Sequence, residues 1–513
     1  MCDATEGTFL SPANPNFAPV HLSPFPQPTL MTNAAVRALE PNAIWNHFAD
    51  LNAIPRASKK EARATQFIKE FGAQAGLPTH VDEAGNVIIK KPGTKGKENN
   101  APVALQSHLD MVHQKNAGTD FNFDTDGIKM KVEGDWVKAE GTTLGADNGL
   151  GVASIMALLA STDIPHPPLE ALFTIDEETG MTGAFELKGG LLSAPILLNL
   201  DTEDDDELTI GCAGGVDVTA KGTYTEEAMP HGHTGHLLTV TGLNGGHSGA
   251  EIHLGFGNAN KIMGRLLLLA QGHGMRLASV DGGGLRNAIP RESKAVLALP
   301  EAKAKAFEAA MNTLAAAIQA EYRTTDPGLK VTLAKADAPA KVMGAKDQQD
   351  FLLAVQACPD GIFRMSPDVP GLVQTSNNVA RVQLGGGGYT VMCLTRSSVE
   401  SEKMDQAATI QAAFALIGGQ VESTGGYPGW APKPEAPIVK LMADTYQDLF
   451  KEKLKVLAIH AGLECGIIGR NYPEMEMVSF GPTIKGPHSP DERASIKSLQ
   501  KFWTYLQEVL NRL

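Results

Sequence analysis

Two adjacent glutamates, Glu177 and Glu178, follow an apolar run and stand shortly before a glycine at position 180. Neighbouring carboxylates raise each other's pKa, so such a pair is costly unless a positive group lies beside it. Because neighbouring residues on a strand point to opposite faces, one carboxylate could hold a metal ion while the other handles a proton. That chemistry requires further metal ligands elsewhere in the chain.

Four other segments place polar side chains after apolar strands or in glycine-rich turns. They supply two histidines and several carboxylates, and no cysteine: His108, Asp110, Asp147, Asp201 and His488. In an open α/β sheet the ligand crevice lies at the carboxyl ends of the strands, so we expect these residues to converge on the two glutamates. A mixed nitrogen and oxygen site of this kind suits zinc, manganese or cobalt.

Each of these residues alone has an ordinary structural explanation. A His-x-Asp pair is often a hydrogen-bonded pair at the surface, and an aspartate in a glycine-rich turn, such as Asp147, is often a helix N-cap. His488 follows Pro487, so it could be a turn residue. The metal-site prediction therefore depends on all of these residues occurring together at strand ends.

The composition narrows the class of protein. The chain has 513 residues, 42% apolar and 20% charged, with a net charge of −14, which indicates a substantial core and disfavours nucleic acid or an anionic membrane as a partner. Five scattered cysteines without CxxC spacing argue against a cysteine-rich zinc module or a disulfide scaffold. There is neither a long apolar span nor a secretory signal, so we expect a cytoplasmic enzyme.

Helical and strand-like stretches alternate up to about residue 212, which is typical of an α/β sheet. The helical stretches are 42–49, 59–76 and 149–159, and the strands are 86–90, 102–106, 170–175 and 194–200. Beyond residue 215, alternating apolar stretches surround two long helical ones, which indicates a separate α+β unit. A glycine-rich linker at 425–430 and two more helical stretches follow.

We therefore predict one domain interrupted by another. The predicted limits are 1–30 for a disordered or non-native extension, 31–214 for the first part of a catalytic domain, 215–425 for the inserted domain and 426–513 for the second part. Met31 is a hypothetical start of the native chain.

Six long stretches resemble a known superfamily in sequence and in order. They are LQSHLDMVHQK, GTTLGADNGLGVA, TIDEETGMTGA, LLNLDTED, GGHSGAEIH and IKGPHSPDE. From about Trp45 to the C-terminus the chain resembles the dinuclear zinc peptidases that include carboxypeptidase G, aminoacylase-1 and carnosinase, and within them the bacterial dipeptidases. The resemblance implies a zinc-exopeptidase-like α/β domain, with a mixed sheet flanked by helices, interrupted by an α+β lid and dimerisation domain.

The resemblance also implies a role for each polar residue. It implies two Zn²⁺ ions per chain, replaceable by Co²⁺ or Mn²⁺. His108 and Asp201 would hold one ion, Glu178 and His488 the other, and Asp147 would bridge the two. Asp110 would orient the imidazole of His108, and Glu177 would be the general base for a water between the metal ions. His247, from the same or the partner subunit, would stabilise the oxyanion, and Asn287, Arg396 and His460 would bind substrate.

The implied activity is hydrolysis of unblocked dipeptides, including Xaa-His dipeptides such as carnosine, by a cytoplasmic homodimer. One alternative is an aminoacylase or carboxypeptidase acting on another amide with the same chemistry. A second is a peptide-binding protein without catalysis, which would be expected to have lost a metal ligand or the base. All five ligands and Glu177 are present in this chain.

Overall fold

The computed structural model describes residues 33–513. The predicted extension at 1–30 lies outside the described residues, so it stays a prediction. Helices and strands below are numbered along the chain.

The first sheet is mixed and has eight strands in the order β1-β2-β6-β3-β7-β21-β8-β20. Its strands are β1 (Thr79–Val81), β2 (Val87–Lys91), β3 (Val103–His108), β6 (Leu169–Thr174), β7 (Ile196–Asn199), β8 (Glu207–Cys212), β20 (Lys455–Ile459) and β21 (Glu476–Ser479). The three central strands β6, β3 and β7 run parallel, so their carboxyl ends meet at one edge. This edge is where a ligand site is expected in such a sheet.

Helices cover both faces of the first sheet. They are α1 (Ala34–Arg37), α2 (Asn42–Asn52), α3 (Ala62–Gln74), α4 (Ala146–Ala160), α5 (Glu177–Gly180), α6 (Thr182–Glu186), α11 (Pro437–Phe450), α12 (Glu464–Asn471) and α13 (Ile496–Arg512). In β3, Leu105 packs in the core that contains Trp45 of α2, whereas its neighbour Ala104 packs in the core that contains Ile468 of α12. Burial on both faces explains why these strands are continuous apolar runs in the sequence.

The second sheet is antiparallel and lies between the two parts of the first in the chain. Its strands are β9 (Gly214–Thr223), β11 (His233–Thr241), β12 (Arg276–Gly283), β13 (Ser293–Pro300), β14 (Lys330–Lys335), β16 (Gly361–Met365), β17 (Val373–Gly385), β18 (Gly388–Ser397) and β19 (Gln420–Tyr427). The accompanying helices are α7 (Ala259–Gly272), α8 (Glu301–Glu321), α9 (Ala345–Ala357) and α10 (Glu400–Ala415), with a 3-10 turn at Ile252–Leu254. They share a separate hydrophobic core with this sheet.

Two small sheets complete the described part of the chain. One is formed by β4 (Met130–Glu133), β5 (Trp136–Ala139), β22 (Ile484–Lys485) and β23 (Arg493–Ser495), and the other by β10 (Glu226–Ala228) and β15 (Lys341–Met343). The chain leaves the first sheet after Cys212 and returns at Trp430, and these two residues exchange backbone hydrogen bonds of 2.9 Å. We call the two paired segments around Cys212 and Trp430 the crossover.

The predicted mixed α/β class is confirmed. The domain limits and the lid and dimerisation role stay predictions. Among residues 33–513, every helix is too short or too polar to cross a bilayer.

Candidate metal centre

The central strands bring the predicted ligands to one edge of the first sheet. His108 is the last residue of β3, Asp201 follows the end of the neighbouring β7, and the two glutamates follow β6 on the other side. Asp147 lies in the first turn of α4, which packs against β3. At Gly151 of α4 a Cβ atom would lie 2.3 Å from the hydroxyl of Ser107, so glycine is needed for this close approach.

The carboxylate of Asp147 lies between the two histidines. Its Oδ1 is 3.1 Å from Nε2 of His108, and its Oδ2 is 3.1 Å from Nε2 of His488. Asp201 Oδ1 lies 3.5 Å from the same nitrogen of His108, and Glu178 Oε2 lies 3.0 Å from that of His488. The five residues therefore form two triplets that share one carboxylate, and each triplet could hold a metal ion.

The donor set fits divalent cations such as zinc. Each triplet offers one imidazole nitrogen and two carboxylate oxygens, the ligand types expected in a catalytic zinc site with an open position. Glu178 Oε1 is buried and has no hydrogen-bond partner among the described residues, so an oxygen with a free lone pair remains in the cluster. Glu177 adds another carboxylate whose oxygen lies within 4.8 Å of ligand atoms of His108 and Glu178.

Crowded carboxylates and burial shift the pKa values at this site. Hydrogen bonds to Asp147 and Glu178 raise the pKa of His488 to about 11. Burial opposes a charge on His108, but Asp201 and the other nearby carboxylates raise its pKa well above the usual value. Burial also raises the pKa of Asp201 to about 6. The cluster therefore favours a positive partner, which is what the sequence led us to expect.

Asp110 connects the first histidine to the glutamate pair. Its Oδ1 lies 3.3 Å from Nδ1 of His108 and accepts the backbone N–H of Glu177 at 2.9 Å. Its Oδ2 accepts the backbone N–H of Glu178 at 3.2 Å and the hydroxyl of Ser58 at 2.8 Å. One buried carboxylate thus fixes the backbone of both glutamates and lies beside the ring of His108.

The two glutamates are not on a strand, so our reason for expecting them to have different environments was wrong. β6 ends at Thr174, Asp176 adopts a left-handed conformation with φ 52°, and Glu177 begins the one-turn helix α5. The side chains differ because of what surrounds them: Glu178 contacts His488, while burial raises the pKa of Glu177 well above its usual value.

Glu492 belongs to the site although no sequence pattern indicated it. Its side chain is 2% exposed and accepts four backbone N–H groups, from Leu144, Gly145, Ala146 and Asp147, at 2.7–3.3 Å. Arg56 supports the same turn by donating to the carbonyl oxygen of Gly145. The only signal in the sequence was the position of Glu492 at the end of the stretch that contains His488.

Glu464 is a second residue whose role was missed, although it lies only four positions after the predicted substrate residue His460. It is fully buried at the start of α12, and its Oε2 accepts hydrogen bonds from Gln106 at 2.6 Å and Thr174 at 2.8 Å. Burial raises its pKa to about 7, and its Oε1 has no hydrogen-bond partner in the described part of the chain. Nothing in the local sequence distinguished it from a solvated glutamate.

The predicted substrate residues form another group beside the second sheet. Arg396 on β18 is 5% exposed and donates to the hydroxyl of Tyr427 at 2.7 Å. His460 lies 2.7 Å from the hydroxyl of Ser376 on β17, so it joins the loop after β20 to the second sheet. Burial, and then the charge of Arg396, lower the pKa of both His460 and His247.

The backbone of Asn287 lies next to that of His247. The carbonyl oxygen of Asn287 accepts the N–H of Ser248, and His247 forms an isolated antiparallel β-bridge with Ala288. Its side chain is exposed. Only three residues lie between His460 and Glu464, so this short loop runs from the Arg396 group to the base of the metal cluster.

The sequence and fold define the class of protein. Residues 104–512 match the family model "Peptidase family M20/M25/M40", so the chain belongs to this family and is a peptidase. It is 42% identical to the cytosol non-specific dipeptidase of Escherichia coli (strain K12) over 479 residues. The alignment covers 93% of this chain and 98% of that protein.

Solved structures agree with this assignment. The crystal structure of aminoacylhistidine dipeptidase from Vibrio alginolyticus superposes with a TM-score of 0.89 and 43% identity, covering 93% of this chain and 98% of that one. Aminopeptidase PepT from Bacillus cereus gives a TM-score of 0.54 at 15% identity over 92% of this chain and 98% of that one, which shows a shared fold alone.

Proposed function

We propose that the protein is a metal-dependent dipeptidase that hydrolyses unblocked dipeptides, including Xaa-His dipeptides such as carnosine. The observation that carries this proposal is the pair of ligand triplets sharing Asp147 at the carboxyl edge of the sheet. The two similar proteins of this family are named as dipeptidases, and they cover nearly all of this chain.

The distances between these side chains support the proposed ligand assignment. His108 and Asp201 would hold one metal ion, Glu178 and His488 the other, and Asp147 both, since its two oxygens face different histidines. Zinc is the expected metal, with cobalt or manganese as substitutes. Two such ions, when bound, lower the pKa of a water molecule and polarise the carbonyl of the scissile bond.

Glu177 is the proposed general base. It lies in the cluster without forming the ion-pair contacts that Glu178 makes, and its raised pKa suits a group that takes a proton from water and later donates it to the leaving amine. Asp110 holds the backbone of Glu177 and lies 3.3 Å from the ring of His108, so it would position the base relative to the ligands.

Arg396, His460 and Asn287 are the proposed substrate-binding residues. The guanidinium of Arg396 has a buried Nε that finds no hydrogen-bond partner in residues 33–513. Guanidinium groups bind carboxylates through two hydrogen bonds. Nδ1 of His247 accepts the N–H of Ala250 at 2.9 Å, so the neutral ring carries its proton on Nε2. That N–H can stabilise an oxyanion, within the same subunit or in a partner's site.

We also propose a cytoplasmic homodimer in which the inserted domain is the lid and the dimerisation domain. Within residues 33–513, β16 pairs only with β17, so its other edge has no strand partner there, and its side chains Ile362, Phe363 and Met365 are 42–54% exposed. A free apolar edge of this kind is a common site of association between copies. Light scattering should give the mass of two chains; the mass of one chain would contradict the dimer.

The experiment that tests the activity is a substrate panel with metal-loaded protein. Carnosine and other free dipeptides should be hydrolysed, whereas N-acetylated amino acids and dipeptide amides should be poor substrates. Turnover of acylated substrates alone would identify an aminoacylase-type enzyme, and binding of dipeptides without any turnover would identify a peptide-binding protein.

A further inference from the structure

A cavity of about 300 Å³ lies beside the crossover, outside the metal cluster. One wall is the returning segment 428–431, and another is α12 through Cys465, Gly466 and Gly469. The two walls are in direct contact, since a Cβ atom on Gly466 would lie 2.8 Å from the carbonyl oxygen of Pro428. This volume is at the lower end of the range for ligand pockets, about 300–1,000 Å³, so it suits a small molecule.

The cavity walls are mainly apolar, with charged groups among them. Trp430, Tyr472 and Met477 supply large apolar surfaces. Lys433 and Arg470 also line the cavity, and neither forms an ion pair or a side-chain hydrogen bond with another residue in 33–513. Apolar walls with a few polar groups are the usual composition of a small-molecule site.

Two carboxylates complete the charge pattern of this cavity. Glu400 bonds to Lys403 at 2.8 Å, and Glu476 accepts the backbone N–H of Ile438 at 3.2 Å, so each retains an oxygen for another donor. The cavity therefore presents two cations without carboxylate partners and two carboxylates with spare accepting capacity. A zwitterion with an apolar side chain complements the cations, the carboxylates and the apolar walls of the cavity.

We propose that this cavity is a second ligand site, distinct from the metal cluster, that binds a free amino acid with an aromatic or large aliphatic side chain. The carboxylate binds Arg470 and Lys433, the ammonium group binds Glu400 or Glu476, and the side chain packs against Trp430. A ligand here touches both the crossover and the helix that begins with Glu464.

Isothermal titration of L-phenylalanine into the metal-loaded full chain tests the proposal. Removing both cations in Lys433→Ala/Arg470→Ala should weaken binding at least about tenfold, because charge-assisted hydrogen bonds to the carboxylate are lost. Lys440→Ala, an exposed lysine outside the cavity that pairs with Asp444, is the matched control and should bind like the unchanged protein. Equal affinity of the double variant, or no binding to the unchanged protein, would overturn the proposal.

A second measurement locates the ligand without relying on the charge variants. Phenylalanine should change the tryptophan fluorescence of the unchanged protein, and Trp430→Phe should abolish that change while calorimetric binding persists. Phenethylamine, which lacks the carboxylate, should bind at least about tenfold more weakly than phenylalanine to the unchanged protein. A fluorescence change that persists in Trp430→Phe, or equal binding of the two compounds, would place the ligand elsewhere.

Discussion

The carboxylate of Glu492 lies against the backbone of Asp147, whose N–H donates to Oε1 at 3.3 Å. The same oxygen accepts the N–H of Ala146 at 2.7 Å, and the other oxygen accepts those of Leu144 and Gly145 at 2.7 and 3.0 Å. Because four donors of one turn share a single buried acceptor, the turn has little freedom to move. The position of the Asp147 side chain between the two histidines follows from this anchor.

Glu492→Gln should therefore weaken metal binding although Glu492 contacts no histidine of the site. An amide offers one oxygen in place of two and turns its N–H₂ group toward backbone donors, so the turn is expected to shift. Loss of such a supporting hydrogen bond typically costs about 10–100-fold in metal affinity. Competition with a chelator measures the affinity, with the exposed Glu474→Gln as the control. An unchanged affinity would mean that the turn holds its shape without Glu492.

Glu177→Gln should lower kcat by about 10²–10⁴-fold, the usual contribution of a general base, because the amide cannot take a proton. Metal content should remain that of the unchanged protein. Activity assays together with metal analysis check this, and Glu186→Gln, an exposed glutamate on α6, should behave like the unchanged protein. If metal is lost together with activity, Glu177 is a ligand.

His488→Ala should remove one of the two proposed metal ions, because Glu178 and Asp147 would be left without the imidazole that completes their triplet. Metal analysis after dialysis should fall from two ions per chain toward one. His231→Ala changes an exposed histidine far along the chain and should keep both ions. Full metal content in His488→Ala would exclude His488 from the site.

His460 gives a pH dependence that can be measured as stability. Burial, followed by the charge of Arg396, lowers its pKa from 6.5 to about 3. In the unfolded chain His460 takes up a proton below about pH 6.5, whereas in the folded chain it stays neutral down to about pH 3. The stability contributed by neutral His460 is therefore present above pH 6.5 and is lost as the pH falls. At pH 5 the loss is about 2 kcal/mol.

Urea unfolding at pH 7.5 and pH 5 checks this prediction. Between these two pH values, the free energy of unfolding of the unchanged protein should fall by about 2 kcal/mol more than that of His460→Gln. The amide of the variant keeps a partner for Ser376 and does not titrate. His231→Gln, at an exposed position, should show the pH dependence of the unchanged protein. An equal loss in His460→Gln would show that His460 is accessible to protons in the folded state.

Local patterns predicted the elements of the first sheet well. The strand expected at 170–175 is β6 at Leu169–Thr174, and the helix expected at 149–159 is part of α4 at Ala146–Ala160. Their apolar runs are readable because both faces of the sheet are buried. The pattern did not reveal that Glu177 and Glu178 lie in a helix, because a one-turn helix of four residues has no periodicity to detect.

Glu464 and Glu492 show why part of the site could not be predicted from the sequence. Both are fully or almost fully buried carboxylates, and both contact residues that lie hundreds of positions away in the chain. Local sequence carries no record of such burial, and an isolated glutamate is usually exposed. Their partners become visible only when the two separated parts of the first sheet are together.

The sequence by itself determined which chemical groups are available and that strand ends would carry them, because polar residues after buried parallel strands collect at one edge of a sheet. The tertiary structure decided how those groups are arranged. Asp147 lies between His108 and His488, which are 39 and 341 positions away, and only the packed fold sets distances of 3.1 Å across such separations. Packing also decided which carboxylates are buried, and burial sets their pKa values.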